Sequence, residues 1–267
     1  MQKHLNLLVY PDYDKLINRS RKKLDRRLSM NTYTAWENII DVIKSGQVGL
    51  STVIRWSKYD KEEGGGVRIQ NSLQHSYSIA LLGKMLIHKL RDYVTLDEPL
   101  LITALLVHDH GEGEINKDTH YIDKSVDGDL DEYLAFTQRY SALGKSQFEE
   151  FQKAFLLQFA LKNPSCFPEQ SRKIMEQLEQ HKLLECNAFD AVERWDYLLY
   201  AIEQFEERGN KKVLVQTLRN QIPHLNRLAE VALPGFGAEI WTTQMRLWCQ
   251  NFVSEHDGQW IEQKGEK

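Results

Sequence analysis

The longest apolar stretch of the chain, Pro99 to Val107, runs straight into His108-Asp109-His110-Gly111-Glu112. Asp97 is placed to cap a helix here, Glu98 and Pro99 suit its first turn, and Gly111 predicts a left-handed stop. So apolar a helix is expected to be buried. It therefore carries His108 and Asp109 out of the core at its C-terminal end. A buried carboxylate is costly unless it is paired or bound to a metal, so Asp109 requires a partner.

The other helices follow from the same periodicity. Residues 12 to 28 set Tyr13, Leu16, Ile17, Leu24 and Leu28 on one face and a basic set from Arg19 to Arg27 on the rest, which is the pattern of a solvated basic face. Residues 32 to 45 predict a second helix with Trp36, Ile39, Ile40 and Ile43 as its buried stripe and Gly46 as its stop. A short helix or turn over Leu50 to Ile54 leads to Arg55-Trp56, and Lys58 to Gly66 reads as a loop, a candidate lid. Asn71-Ser72 caps a helix to about Leu90, in which His75 is the polar member of the stripe Ile79, Leu82, Leu86, Leu90. Gly111 to Gly128 is polar and irregular, a loop. From Asp129 to about Lys162 the spacing is helical again, with an aromatic core stripe of Phe148, Phe151, Phe155 and Phe159. Pro168 to Arg208 predicts one long helix or two, stopped by Gly209-Asn210, and residues 211–232 and 238–253 predict closing helices divided by Pro223 and by Pro234-Gly-Phe-Gly237.

With 6 Pro and 15 Gly in 267 residues and few strand-like alternations, the expectation is an all-α bundle, a single all-helical domain over 1–267. A helical extension, 1–46, precedes a core of about residues 50–210, and further helices, 211–255, follow it. The net charge of -4 argues against stable nucleic-acid binding by the whole protein. The 3 cysteines, Cys166, Cys186 and Cys249, have no CxxC spacing, which fits a reducing compartment. No stretch is apolar enough for a membrane span or a secretory leader, so a cytoplasmic location is expected.

The buried-helix signals end in metal-ligand residue types in the order His75, then His108-Asp109, then Asp190. Nitrogen and oxygen ligands without thiolate suit one divalent transition metal (Mn, Co, Fe, Ni or Zn) in a catalytic rather than a purely structural role. Asp190 shares a helix face with Glu193, Arg194 and Tyr197, a set that could line a pocket or make intrahelical pairs.

This ordered set resembles the HD-domain metal-dependent phosphohydrolases. Arg55-Trp56, Ser72-Leu-Gln-His75-Ser, His108-Asp-His-Gly-Glu112, Asp118 with Lys124, and Ala188-Phe-Asp190-Ala resemble in particular the bacterial 5'-deoxynucleotidase group and its eukaryotic HDDC-type relatives, over about residues 50 to 210. The resemblance implies an HD-type helical bundle with His75, His108, Asp109 and Asp190 as ligands to one metal. It implies Glu112 and Asp118 as the catalytic carboxylates, Glu112 handling protons of the attacking water or the leaving group. Arg55 and Trp56 would meet the phosphate and sugar of a nucleotide, and Lys124, Arg68 and Arg194 are further cations for a dianionic monoester. Asp118 stands one residue farther from Glu112 than in that group.

The expected activity is thus hydrolysis of (deoxy)nucleoside 5'-monophosphates, with nucleoside polyphosphate hydrolysis, of the dNTP or guanosine tetraphosphate type, as the alternative within the same class. A non-catalytic nucleotide-binding regulator is the alternative outside it. His110, His120 and His181 raise a two-metal arrangement, for which His120 lies close behind Asp109. The regions 1–45 and 211–267 could alter the substrate or build a homodimer.

Overall fold

The computed structural model of the protein describes residues 30–56, 66–115 and 126–259. The expected helix over 12–28, the loop from Lys58 to Gly65, and Asp118, His120 and Lys124 lie outside the described residues. The chain divides into two compact units, Met1–Asp41 and Val42–Lys267. Every candidate site residue belongs to the second.

The described residues are all-α but for one short ribbon. Helix α1 (Met30–Thr52) is followed by β1 (Ile54–Arg55), which pairs antiparallel with β2 (Gln70–Asn71), Arg55 opposite Gln70. The ribbon delivers Arg55 and Trp56 to the interior where a turn over Leu50 to Ile54 was expected. Next come α2 (Ser72–Leu90), α3 (Glu98–Val107) and α4 (His110–Ile115). After the gap, α5 (Val126–Tyr140), α6 (Lys145–Leu156), a 3-10 turn (Leu157–Phe159), α7 (Glu169–His181) and α8 (Leu183–Arg208) complete the central bundle. The closing segments are α9 (Lys211–Arg227), a π-helical turn (Leu228–Ala232), α10 (Phe236–Glu239) and α11 (Thr243–Glu255). Helix α8 lies against α2, α3 and α9, so it is the element around which the site is assembled. No described helix is long and apolar enough to cross a membrane.

Local chemistry sets most of these boundaries. Asn71 caps α2 with a reciprocal capping box, its side chain accepting from the Gln74 amide while Gln74 accepts from the Asn71 amide. Asp97 caps α3 through the Leu100 amide and accepts from Lys182 Nζ at 2.7 Å. Its carboxyl is held below the ordinary range, first by the Lys182 hydrogen bond, which together with the Leu100 amide outweighs the opposing effect of burial. A depressed carboxyl stabilises the fold above its unfolded pKa, and the contribution fades as pH falls through the folded value. Since the side chain is 33 % exposed, the ion pair itself adds little. Asp97→Ala should cost about 1 kcal/mol at pH 7, the usual worth of a cap, and melts compared with wild type should converge in acid. A difference unchanged at low pH would show that the charged form is not what matters.

The core runs through α2, α3, α5, α6 and α8, with Ile79, Leu86, Leu90, Leu101 and Leu105 fully buried. Phe155 and Phe159 of the expected aromatic stripe are buried, and Phe155 stacks on Phe136 with ring centroids 4.1 Å apart, while Phe148 and Phe151 pack on the edge of the core. Gly209, at φ 69°, ends α8 in the left-handed conformation that its position after Arg208 predicts.

Several glycine and proline expectations are corrected. Helix α1 does not stop at Gly46. It runs to Thr52, and Gly46 faces the His110 ring where a Cβ would come within 2.7 Å of it, while at Gly49 a Cβ would fall 2.5 Å from the Gly113 carbonyl oxygen. Its buried side is accordingly Val42, Gly46 and Leu50. The stripe expected to be buried is not: Ile39 is 38 % and Trp36 54 % exposed, and Ile40 and Ile43 are exposed as well. Likewise Gly111 is no left-handed stop. It lies inside α4, with negative φ, where a Cβ would meet the Glu132 carbonyl oxygen at 2.3 Å. The stretch expected as a loop from Gly111 onward therefore begins as the helix α4, pressed between α1 and α5 through glycines. Pro223 does not divide the closing helices, because α9 continues through it.

Candidate metal centre and adjoining cavity

The turn His108-Asp109 between α3 and α4 is where the core opens. His108 is the C-cap of α3, its amide bonded to the Ala104 carbonyl, and the Gly113 amide donates to the Asp109 carbonyl to start α4. The pair is thereby held between two helix ends, and both side chains are buried. His75, in the first turn of α2, is fully buried and faces them, with its ring 5.3 Å from that of His108 and nearly edge-on.

The third member comes from α8. His75 Nε2 lies 3.4 Å and His108 Nε2 3.2 Å from Glu193 Oε1, and these three atoms form a group able to hold one metal ion, the group of this kind found among the described residues. None of the three makes a hydrogen bond of proper geometry, although all are buried. Buried polar atoms left without partners cost on the order of 1–3 kcal/mol each, so three of them converging on one point fit a ligand that accepts their lone pairs. Asp109 borders the group, its Oδ1 3.0 Å from His108 Nε2 and its Oδ2 3.9 Å from His75 Nε2.

The remaining ring nitrogens are held from behind. His75 Nδ1 lies 2.9 Å from Asp196 Oδ2, and His108 Nδ1 donates to the Leu105 carbonyl at 3.0 Å. Such outer bonds orient each Nε2 towards the centre, the usual support of a ligating histidine. Charge is balanced tightly. Burial and Arg55 both work against a charged His75, yet Glu193 and Asp196 push it up to about 10. Burial would raise the Glu193 carboxyl, but the neighbouring His108 and His75 hold it down to about 2. Asp109 is depressed below the carboxylate range despite burial, by His108 and then Arg55.

Arg55 reaches the same point from β1. Its Nη1 donates to Asp109 Oδ2 at 2.9 Å and its Nη2 to the Tyr197 hydroxyl at 3.1 Å. Trp56, next to it, adopts φ 65°, a costly backbone for a bulky side chain, and its ring stacks on Tyr200 at 4.3 Å and 16°. Packing thus pins a strained residue at the rim of the site.

His108, Glu193, Asp109, Arg55 and Trp56 line a cavity of about 640 Å³. Glu112 lines it as well, as do further residues of α8 and α9, among them Arg194 and Arg227. Glu112, on α4, is buried at 4 % exposure.

The structure brings together His75, His108, Asp109, Glu112, Arg55 and Trp56, residues that the family resemblance groups. It does not bring Asp190 to the histidines. Asp190 Oδ1 is 2.8 Å from Arg194 and its Oδ2 3.2 Å from Arg227, so both oxygens are committed to guanidinium groups, and Glu193, almost one helical turn on, stands where Asp190 was expected. Arg68 is also corrected. It is half exposed, pairs with Glu203 at 2.7 Å and lies outside the cavity. Arg194 does line the cavity, held by Asp190. His110 turns away from the cluster, its Nδ1 2.6 Å from the Tyr140 hydroxyl, and so gives no second metal position beside His108. Asp196 had no counterpart in the sequence reading, although its spacing three residues after Glu193 puts it on the same helix face. No family model matches the chain, and no curated protein or solved structure is significantly similar to it.

Proposed function

We propose that this protein is a metal-dependent phosphohydrolase of the HD-domain type, acting on nucleotides, and that its reaction is hydrolysis of the phosphomonoester of (deoxy)nucleoside 5'-monophosphates. One observation carries the reading: the buried ligand atoms of His75, His108 and Glu193 converge on one point, and His108 and Glu193 line a cavity that is large enough for a nucleotide and is also lined by arginines. Metal-ligand chemistry and anion-binding chemistry share one space. The likeness of Arg55-Trp56, His75, His108-Asp109 and Glu112 to the 5'-deoxynucleotidase group supports the same activity.

His75, His108 and Glu193, with Asp109 beside them, would hold one divalent transition ion. Such an ion lowers the pKa of water from about 15.7 towards 7 and offsets charge on a phosphoryl oxygen. The protein's own groups do the rest. Arg55, fixed by Asp109 and Tyr197, presents a desolvated guanidinium to the phosphate, where charge-assisted bonds are strongest. Glu112 accepts or returns a proton at its carboxylate as the P–O bond to the sugar breaks. Trp56, backed by Tyr200, provides a flat wall for sugar or base.

The test is direct. Metal content of the purified protein is measured, and phosphate release from a panel of ribo- and deoxynucleotides is followed with added Mn or Co. Turnover of 5'-monophosphates supports the reading, and nucleotide binding without any turnover would leave a regulator instead. Glu112→Gln should keep its metal and lose roughly 10²–10⁴ in kcat, the range of a proton-transfer group. Wild-type turnover in that variant would remove Glu112 from the chemistry.

A further inference from the structure

Residues of α8 and α9 also line the cavity, and α9 lies beyond the stretch that carries the family resemblance. There Asp190 does not bind metal but clamps two arginines. Arg194 is fixed by Asp190 Oδ1 and by Gln221 Oε1 at 2.7 Å, and Arg227 by Asp190 Oδ2 and by the buried Asn187 at 3.3 Å. One carboxylate against two guanidinium groups leaves a net positive charge, to which Lys162, exposed on the same cavity, adds another without an ion pair among the described residues. Arg194 Nε is moreover buried with no hydrogen-bond partner. A guanidinium N–H hidden from water and left unsatisfied is costly, and the accessible edges of the two clamped guanidinium groups are what the cavity offers to an anion.

From this arrangement we infer that the Arg194–Arg227 pair on the α8–α9 wall of the cavity is a second anion subsite, taking a phosphate-class group other than the one at the histidine cluster. Because the pair lines the same cavity as His108 and Glu193, the nucleotide it favours carries a phosphate besides the hydrolysed 5'-monoester; a separately bound phosphate has the same chemistry. The inference deepens the proposed function and rests on it for the identity of the nucleotide, but not for the presence of the subsite. Fixed guanidinium forks suit phosphate better than a mobile ammonium does, since the clamp orients their donors before the anion arrives.

The test is binding to the full-length, chelator-treated protein by isothermal titration at constant ionic strength. The probes are a nucleoside 5'-monophosphate, the matching 3',5'-bisphosphate and 5'-triphosphate, and inorganic phosphate alone. At least one of the doubly or triply phosphorylated nucleotides should bind about tenfold more tightly than the monophosphate, the order set by one charge-assisted hydrogen bond. In Arg227→Gln that ratio should fall to about one, and Arg194→Lys, which keeps the charge but loses the fork, should lower it partway. Circular dichroism melts establish that each variant is folded. Inorganic phosphate binding with the same arginine dependence also supports the subsite, and assigns it to a free anion. A ratio near one in wild type together with no arginine-dependent binding of inorganic phosphate, or a ratio unchanged in both variants, overturns it. The outcomes separate the two proposals: arginine-dependent binding without turnover keeps the subsite and sinks the reaction, whereas monophosphate turnover with no arginine dependence does the reverse.

Discussion

Glu193→Gln is expected to lose the capacity to bind a divalent ion, while Asp190→Asn keeps it. The first removes one of the three convergent ligand atoms and leaves a neutral amide against two buried imidazoles. Loss of a partner one shell removed from a metal already costs about 10–100-fold in affinity, and loss of a direct ligand should cost at least that. Asp190, by contrast, has both oxygens on Arg194 and Arg227, so its removal frees two guanidinium groups without touching the histidines. Titration of Mn or Co into each chelator-treated variant reads the difference without any assay of turnover. Equal loss of metal in the two variants would return Asp190 to the ligand set and show that α8 turns differently about its axis.

The second large effect is on stability. Ala is favoured over Gly inside a helix by about 1 kcal/mol, so Gly111→Ala should stabilise α4 if only propensity mattered. The geometry reverses the sign. A Cβ at Gly111 falls 2.3 Å from the Glu132 carbonyl oxygen and 2.7 Å from its carbon, and backbone cannot swing aside as a side-chain tip can. The expected cost is about 2–3 kcal/mol net, within the range for overpacking, lowering Tm by roughly 4–12 °C for a chain of this size. Gly83→Ala is the comparison, since its Cβ meets side-chain atoms rather than backbone, Leu105 Cδ1 at 2.4 Å and Ile102 Cδ1 at 3.2 Å. It should cost distinctly less. A Gly111→Ala protein melting at or above wild type would mean that α4 and α5 are not in contact there. The same substitution should weaken metal affinity, because α4 begins at the turn that carries His108 and Asp109.

How much of this was legible in the sequence depended on the range of the interaction. Asn71 and Asp97 as caps, Gly209 as a stop and Ile79, Leu86 and Leu90 as a buried stripe are local matters, decided within a few residues, and they are found where periodicity and capping chemistry place them. His108-Asp109 at the end of an apolar helix announced a buried polar site for the same reason. Glycines misled. Gly46 and Gly111 carry the composition of a stop signal, yet they serve as places where one backbone passes close to another, and only the partner strand of chain reveals which use applies. Trp36 and Ile40 have the spacing of a core face and are exposed, because spacing marks a shared face but not what the face meets.

The pattern of apolar positions thus settles an all-α chain and brings two histidines and an aspartate to buried helix ends, since burying those stripes leaves no other place for them. Which acidic residue completes the centre is a different kind of question. Asp190, Glu193 and Asp196 follow one another at three-residue steps along α8, and their local surroundings are nearly equivalent. The level at which α8 crosses α2 and α3 sets Glu193 against the two imidazoles and Asp196 behind one of them, and the packing of α9 draws Asp190 away to its arginines. That level is fixed by long-range packing of side chains distant in sequence, and no local rule of helix formation contains it.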